Sequence, residues 1–190
     1  TNSPQETVVT LTVNKASQTI VFGAIGDQET TNRVGLHATG GGSWNAVTFA
    51  VASGPGSIAG GTNLTFTGEG RVGIVASQAG NGNWEAAPEV TNEFEVTKAV
   101  AGLTLTNLTQ TYDGTPREAT ATTEPAGLDV VLTYDGSLTA PTGAGEYAVT
   151  GTVDNVLWQG TSTGTLAVAG LTQAITFAPI APQKTTAAVG

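Results

Sequence analysis

Cysteine and methionine are absent from the 190 residues, histidine occurs once, and Lys and Arg together number six. Without cysteine there is no disulfide scaffold, no thiolate metal site and no cysteine nucleophile, and the redox compartment is left open. His37 alone cannot build a multi-histidine metal site. Lys15, Arg33, Arg71, Lys98, Arg117 and Lys184 are scattered along a chain of net charge −9, so no cluster exists to neutralise a run of phosphates and nucleic acid is not an expected partner. No apolar run approaches the roughly 20 residues that cross a bilayer, so no membrane span is expected in this segment. The opening residues also lack the charged and apolar stretches of a signal peptide. With no initiator Met, the chain is expected to be a mature or excised piece.

Charge itself is scarce. At 11% charged residues, against roughly a quarter in an ordinary soluble domain, the surface has to be covered by neutral polar groups. Threonine fills that role in nearly every block of ten, and together with Val and 26 Gly it favours strands and turns over helices. An all-β chain is expected.

Self-similarity sets the organisation. Residues 18–35, QTIVFGAIGDQETTNRVG, align with residues 173–190, QAITFAPIAPQKTTAAVG, at an offset of 155, with nine of eighteen positions identical, Thr30/Thr185 among them. The match runs backwards, because Thr10-Leu11-Thr12-Val13 lies over Thr165-Leu166-Ala167-Val168. A weaker repeat divides the period, since Val13-Asn14-Lys15-Ala16 resembles Val96-Thr97-Lys98-Ala99, each closing an alternating strand and opening the next unit. Four segments follow: 1–16, the closing strand of a preceding module; 17–97 and 98–171, two complete modules; and 172–190, the opening strand of the next. The junctions contain no Pro/Ser-rich spacer, so a stiff array is expected rather than flexible beads.

Inside each module, short alternating runs are separated by Gly, Asn and Asp turns at the spacing of a sandwich. Ile20-Val21-Phe22, Val47–Val51, Leu64–Phe66, Val72–Val75 and Phe94–Val96 are strands expected in the first, and Leu103–Leu105, Val130–Tyr134, Tyr147–Thr150 and Gly164–Val168 in the second. Thr67-Gly68-Glu69-Gly70 precedes a strand and Trp84, as Thr142-Gly143-Ala144-Gly145 precedes a strand and Trp158. The second module, with Leu108-Thr109-Gln110-Thr111-Tyr112-Asp113-Gly114-Thr115-Pro116, Thr133-Tyr134-Asp135-Gly136 and Ala140-Pro141-Thr142-Gly143-Ala144-Gly145-Glu146-Tyr147, resembles the MBG (mucin-binding-glycoprotein-related) domains of large bacterial surface proteins. The first, with Ser53-Gly54-Pro55-Gly56 and Ala76–Asn81 leading to Trp84 and Ala86-Ala87-Pro88, resembles the bacterial Ig-like repeats that alternate with them. These resemblances imply tandem immunoglobulin-like β-sandwich modules forming a rod, outside the cell or on a bacterial surface, and bring no catalytic residue.

The chemistry-bearing residues agree with that. Nucleophilic catalysis needs a base beside the nucleophile, and His37 leads only into the loop Ala38-Thr39-Gly40-Gly41-Gly42, which lacks the following Lys-Ser/Thr of a phosphate-binding loop. The chain is not expected to be an enzyme. Asp113-Gly114 and Asp135-Gly136 are strong turn signals. Glu85, Glu89, Glu93 and Glu95 flank a strand that alternates faces, and no EF-hand loop is present. No cofactor is expected; calcium at a module junction is the one variant, with unchanged melting under a chelator as its disproof. Trp84 and Trp158, at matching places, are expected to pack at a sandwich end or junction, as are Lys15 and Lys98, whereas Trp44 has no counterpart and is the candidate surface contact.

The expected function is a non-catalytic structural repeat of a bacterial extracellular fibre, stalk or giant surface protein, and the alternative is an adhesin module binding glycan or mucin through Trp44. The chain's partner is then itself, through adjacent modules or protomers, and through lateral association of rods whose edge strands carry almost no protective Lys. Two arrangements are open: a window on one continuous array, or subunits that complete one another by donating a terminal strand.

Overall fold

Alternation of apolar and polar residues puts every second side chain on one face of a strand, and the computed structural model, which describes residues 4–182, is built on that alternation throughout. Nine strands make the first sandwich: β1 (Val21–Phe22), β2 (Gln28–Glu29), β3 (Val34–Gly35), β4 (Ala38–Thr39), β5 (Val47–Ser53), β6 (Gly56–Ala59), β7 (Asn63–Phe66), β8 (Gly70–Gln78) and β9 (Val90–Thr97). One sheet has the order β2-β9-β8-β5, and its edge pair β2–β9 is parallel. Facing it are β3-β7-β6 and the pair β1–β4. Val72 and Ile74 from β8, Phe94 and Val96 from β9, and Leu64 and Phe66 from β7 meet with Leu36 in the core. Phe66 stands edge-on to Phe94 with ring centroids 6.0 Å apart, a geometry that suits the ring quadrupoles.

Seven strands follow: β10 (Ala99–Val100), β11 (Gly102–Thr106), β12 (Thr109–Thr111), β13 (Thr120–Glu124), β14 (Val131–Tyr134), β15 (Gly145–Asp154) and β16 (Trp158–Ala169). The long hairpin β15–β16 carries β14 on one side and the parallel strands β10 and β12 on the other, opposite the pair β11–β13. Val149, Leu166, Val168, Tyr134 and Ala119 form the core, joined by Leu105 and Leu132. Tyr134 takes its hydroxyl inside because the oxygen accepts a 3.0 Å hydrogen bond from the Ala119 N–H. On the outer face of β16, Gln159, Thr161, Thr163 and Thr165 are exposed in strict alternation, so neutral hydroxyls do cover this sheet.

All described secondary structure is strand, and the fold is a pair of Ig-like β-sandwiches. The expected strands are present with bounds shifted by a few residues. The two-residue and three-residue strands β2, β3, β4, β10 and β12, together with β6 and β13, escape a reading of alternation because they are too short or too rich in Gly and Thr. Residues 4–14 and 170–182 form no strand within this chain, and Val8, Val9, Leu11, Val13, Leu171, Ile175, Phe177 and Ile180 are all exposed. The repeat residues from Gln183 to Gly190, and Thr1 to Ser3 of the expected closing strand, lie outside the described residues.

Candidate functional site

Each sandwich has a near pole, where the chain enters, and a far pole, where its last strand leaves. At the near pole of the first, Asn81 folds the loop between β8 and β9 by accepting hydrogen bonds on its Oδ1 from the N–H groups of Asn83 (2.9 Å) and Trp84 (3.1 Å). At the near pole of the second, Asn155 does the same for Leu157 (2.9 Å) and Trp158 (2.8 Å). The entering chain pairs with each loop in the same way. Ala16 bridges to Trp84 and its N–H donates to Asn83 O at 2.8 Å. Ala99 lies opposite Trp158 and its N–H donates to Leu157 O at 3.0 Å. Trp84 and Trp158 are both half-buried.

The far poles match as well. Gly70 opens β8 opposite Val96, and Gly145 opens β15 opposite Val168. Both glycines have positive φ, 131° and 157°, which leaves little room for any other residue.

Between β9 and β10 the two sandwiches meet. Thr30, only 3% exposed, donates from Oγ1 to Leu157 O at 2.5 Å and accepts from the Ala99 N–H at 3.1 Å. Its own N–H donates to Thr97 O at 2.9 Å, so one threonine of the first sandwich ties the last strand of its own sheet to the entry loop of the second. Beside it Lys98 is held by Asp154 of the second sandwich through a short ion pair and lies 3.8 Å from Glu69 of the first. The hydrogen bond that its ammonium donates to Asp154, aided by both carboxylate charges and opposed by partial desolvation, raises Lys98 above its ordinary 10.5. Val156, still exposed, lies at the edge of the contact, within van der Waals reach of a Cβ placed at Gly68.

Among the sequence candidates, Lys98 precedes Ala99, which pairs with Trp158 at this junction, and exposed Lys15 precedes Ala16, which bridges to Trp84 at the near pole of the first sandwich. Nothing in its local sequence marks out Thr30, although its recurrence as Thr185 in the repeat is a signal for it. Trp44 stands apart from both groups: it is 92% exposed and its φ is +58°, a strained backbone for a bulky side chain. The loop beneath it is tied down from all sides. Gln18 Oε1 accepts from Ser43 N–H (2.8 Å), Gln78 Oε1 accepts from Gly41 N–H (2.7 Å), and Asn45 Nδ2 donates to the carbonyls of Ala79 and Gly80 at 3.0 Å each. Gln18, Ser43 and Gln78 are buried, and hydrogen bonding is what makes that tolerable.

The Asp-Gly pairs are turns. Asp135 (φ +48°) and Gly136 (φ +83°) are the centre of a two-residue hairpin closed by hydrogen bonds both ways between Tyr134 and Ser137. Asp113 accepts from the Thr115 N–H at 2.9 Å and pairs with Arg117. His37 is exposed at the mouth of a shallow hollow with Phe22, Ile25 and Val34. Among the described residues no three His, Asp or Glu side chains group as metal ligands, and no helix is long and apolar enough to cross a membrane.

Among solved structures, the chain is similar to the EC1-4 fragment of Drosophila N-cadherin, at 9% identity and a TM-score of 0.33, over 81% of this chain and 50% of that one. It is similar to mouse cadherin-23 EC22-24 at 12% identity and TM-score 0.31, over 81% of this chain and 65% of that one. It is also similar to the titin domains z1z2, crystallised in complex with telethonin, at 18% identity and TM-score 0.32, over 83% of this chain and all of that one. The chain thus spans about half to two thirds of the length of these cadherin fragments. A comparison with curated proteins gives no match. Residues 101–172, from Ala101 through the hairpin of β15 and β16, match the family model described as MBG domain.

Proposed function

We propose that this chain is a non-catalytic structural repeat of a bacterial extracellular fibre, stalk or giant surface protein, in which Ig-like and MBG sandwiches alternate in a tandem array. The observation that carries the reading is the junction: Thr30 is buried at a point where it bonds both sandwiches at once. A linker between independent beads has no use for a buried, doubly bonded side chain, whereas a load-bearing array needs its modules held in fixed register. Thr30 recurs in the sequence as Thr185, as a tandem array requires.

Two further features support a continuous array over donated strands. Leu11 and Val13 correspond in the repeat to Leu166 and Val168, which the chain's own β16 already buries in the second core. Ile175 and Phe177 correspond to Ile20 and Phe22, which already pack in the first sandwich. Both sets of core positions are thus already filled from within this chain. A denaturing gel of boiled native material tests the reading. Polypeptide far larger than 19 kDa is expected, and a band at the 19.0 kDa of this chain contradicts it.

A further inference from the structure

Of the two junctions that an alternating array contains, this chain holds one. We infer that the other, from an MBG sandwich onto the first sandwich, is apolar where this one is polar, and that Trp44 is its central contact, seated against a second copy of residues 98–171. The inference rests on the array reading.

The matching poles allow each partner in the polar junction to be traced to its counterpart. Asn155 matches Asn81, so Asp154 matches Gly80. No acid can stand there, because a Cβ at residue 80 falls 2.4 Å from Trp84 O and 2.6 Å from Ala86 N. Gly145 matches Gly70, so Glu69 matches Ala144. Both carboxylates that hold Lys98 are therefore missing from the second kind of junction, although Lys15 sits at its entry. Thr30 is also replaced. Its backbone role, donating to the last residue of the closing strand, is taken by Tyr112, whose N–H donates to Ala169 O at 2.8 Å. The far pole of the MBG sandwich thus has exposed Ala144 where the first sandwich has Glu69, and Tyr112, packed against its own core, where the first has Thr30.

At the near pole of the first sandwich Val156 and Leu157 are matched by Gly82 and Asn83, and nothing lies within 4 Å of a Cβ built at Gly82. The apolar side chain is supplied instead from the neighbouring loop. Residues 40–45 lie on this pole: a Cβ at Gly41 would strike Gln18, and one at Gly42 would strike the Trp84 ring that borders Ala16. Trp44 projects from that loop on a strained, hydrogen-bonded backbone, beside the point where residues 8–16 enter. Thr10–Val13 resemble Thr165–Val168 near the end of β16, so in the array the chain arriving at this pole comes from an MBG sandwich. Strain of this kind persists where the surroundings over-determine it, and it concentrates at contact sites. A buried aromatic anchor is also the commonest centre of an interface.

The test is an extended chain in which residues 1–168 run directly into 14–190, so that both junction types are present. Fluorotryptophan is incorporated, the two Trp44 resonances are assigned by Trp44→Phe in each copy, and a soluble paramagnetic agent reports exposure. Trp44 of the second copy is expected to lose its relaxation enhancement while Trp44 of the first copy keeps it. Equal enhancement at both overturns the inference. So does protection of both on adding mucin glycans without any difference beforehand, which assigns Trp44 to a glycan site. Trp44→Ala in the second copy is expected to split the melting of the extended chain into separate transitions while leaving the 190-residue chain unchanged. Backbone relaxation separates the two levels of failure. If the sandwiches tumble independently across Lys98 as well, the array reading fails; if they move together there while Trp44 stays exposed, only this inference does.

Discussion

Gly42 and Trp84 share a space that holds only one of them with a side chain: a Cβ at residue 42 lies 2.2 Å from Trp84 Cζ2. Gly42→Ala is therefore expected to push the ring out and to cost about 1–3 kcal/mol, the range for overpacked sites, measured as a fall in the denaturant midpoint of the first sandwich. Thr30 gives the second prediction at this scale. Thr30→Val keeps the shape and removes both hydrogen bonds, with an expected loss of about 1–3 kcal/mol and uncoupled melting of the two sandwiches, whereas Thr30→Ser keeps them joined. Residues like these are hard to see in sequence. Gly42 belongs to a triglycine run that reads as a loop, and Thr30 is one threonine among many. What marks each is a partner more than forty residues away, and spacing carries no record of that distance.

At the level of strands and loops, the legible part was whatever alternates for four residues or more. β8, β9, β15 and β16 are visible because Val72/Ile74, Phe94/Val96, Val149/Val153 and Leu166/Val168 point inward at a period of two. β2 and β12 are invisible on that ground, since their parallel pairing to β9 and β16 is fixed by the neighbouring strand and not by their own pattern. The Asn-x-x-Trp loops at 81–84 and 155–158 were half legible: the tryptophans marked the match, but the asparagines do the folding. Asn155→Ala leaves the N–H groups of Leu157 and Trp158 without their acceptor and is expected to loosen the loop that receives Thr30. Faster amide exchange at Leu157, Trp158 and Ala99 would register this, and unchanged exchange would contradict it. Lys98 adds a pH dependence. Its ammonium is held above 10.5 by Asp154 and Glu69, so its contribution is complete below that value and is lost as pH rises through the elevated one. Coupling of the two sandwiches is expected to be flat through neutral pH and to fall above it in the alkaline range, and Lys98→Met should abolish that fall. Because both acids are largely exposed, salt should weaken the pair.

Over the whole molecule, low charge and abundant threonine go together with a neutral outer face on β16, whereas the outer face of β8 and β9 carries Arg71, Glu93 and Glu95. The acids that do gather at the junction face an internal cation, Lys98. Chelator or added calcium is accordingly expected to leave the melting temperature unchanged, and a rise of several degrees with calcium would show that a metal ion displaces the lysine. The offset of 155 between the matching stretches is the feature on which the proposed array stands, because in such an array each junction recurs with it. It was readable from the sequence, whereas the chemistry of the junction was not, since Glu69, Asp154 and Thr30 acquire meaning only when Lys98 and Leu157 are seen between them. The most direct test is cryo-electron microscopy of the native assembly. The account predicts an unbranched rod with an axial repeat of two sandwiches and with Thr30 bonded across the junction in every period. Separate particles of this size, or beads with no fixed angle between neighbours, would contradict it.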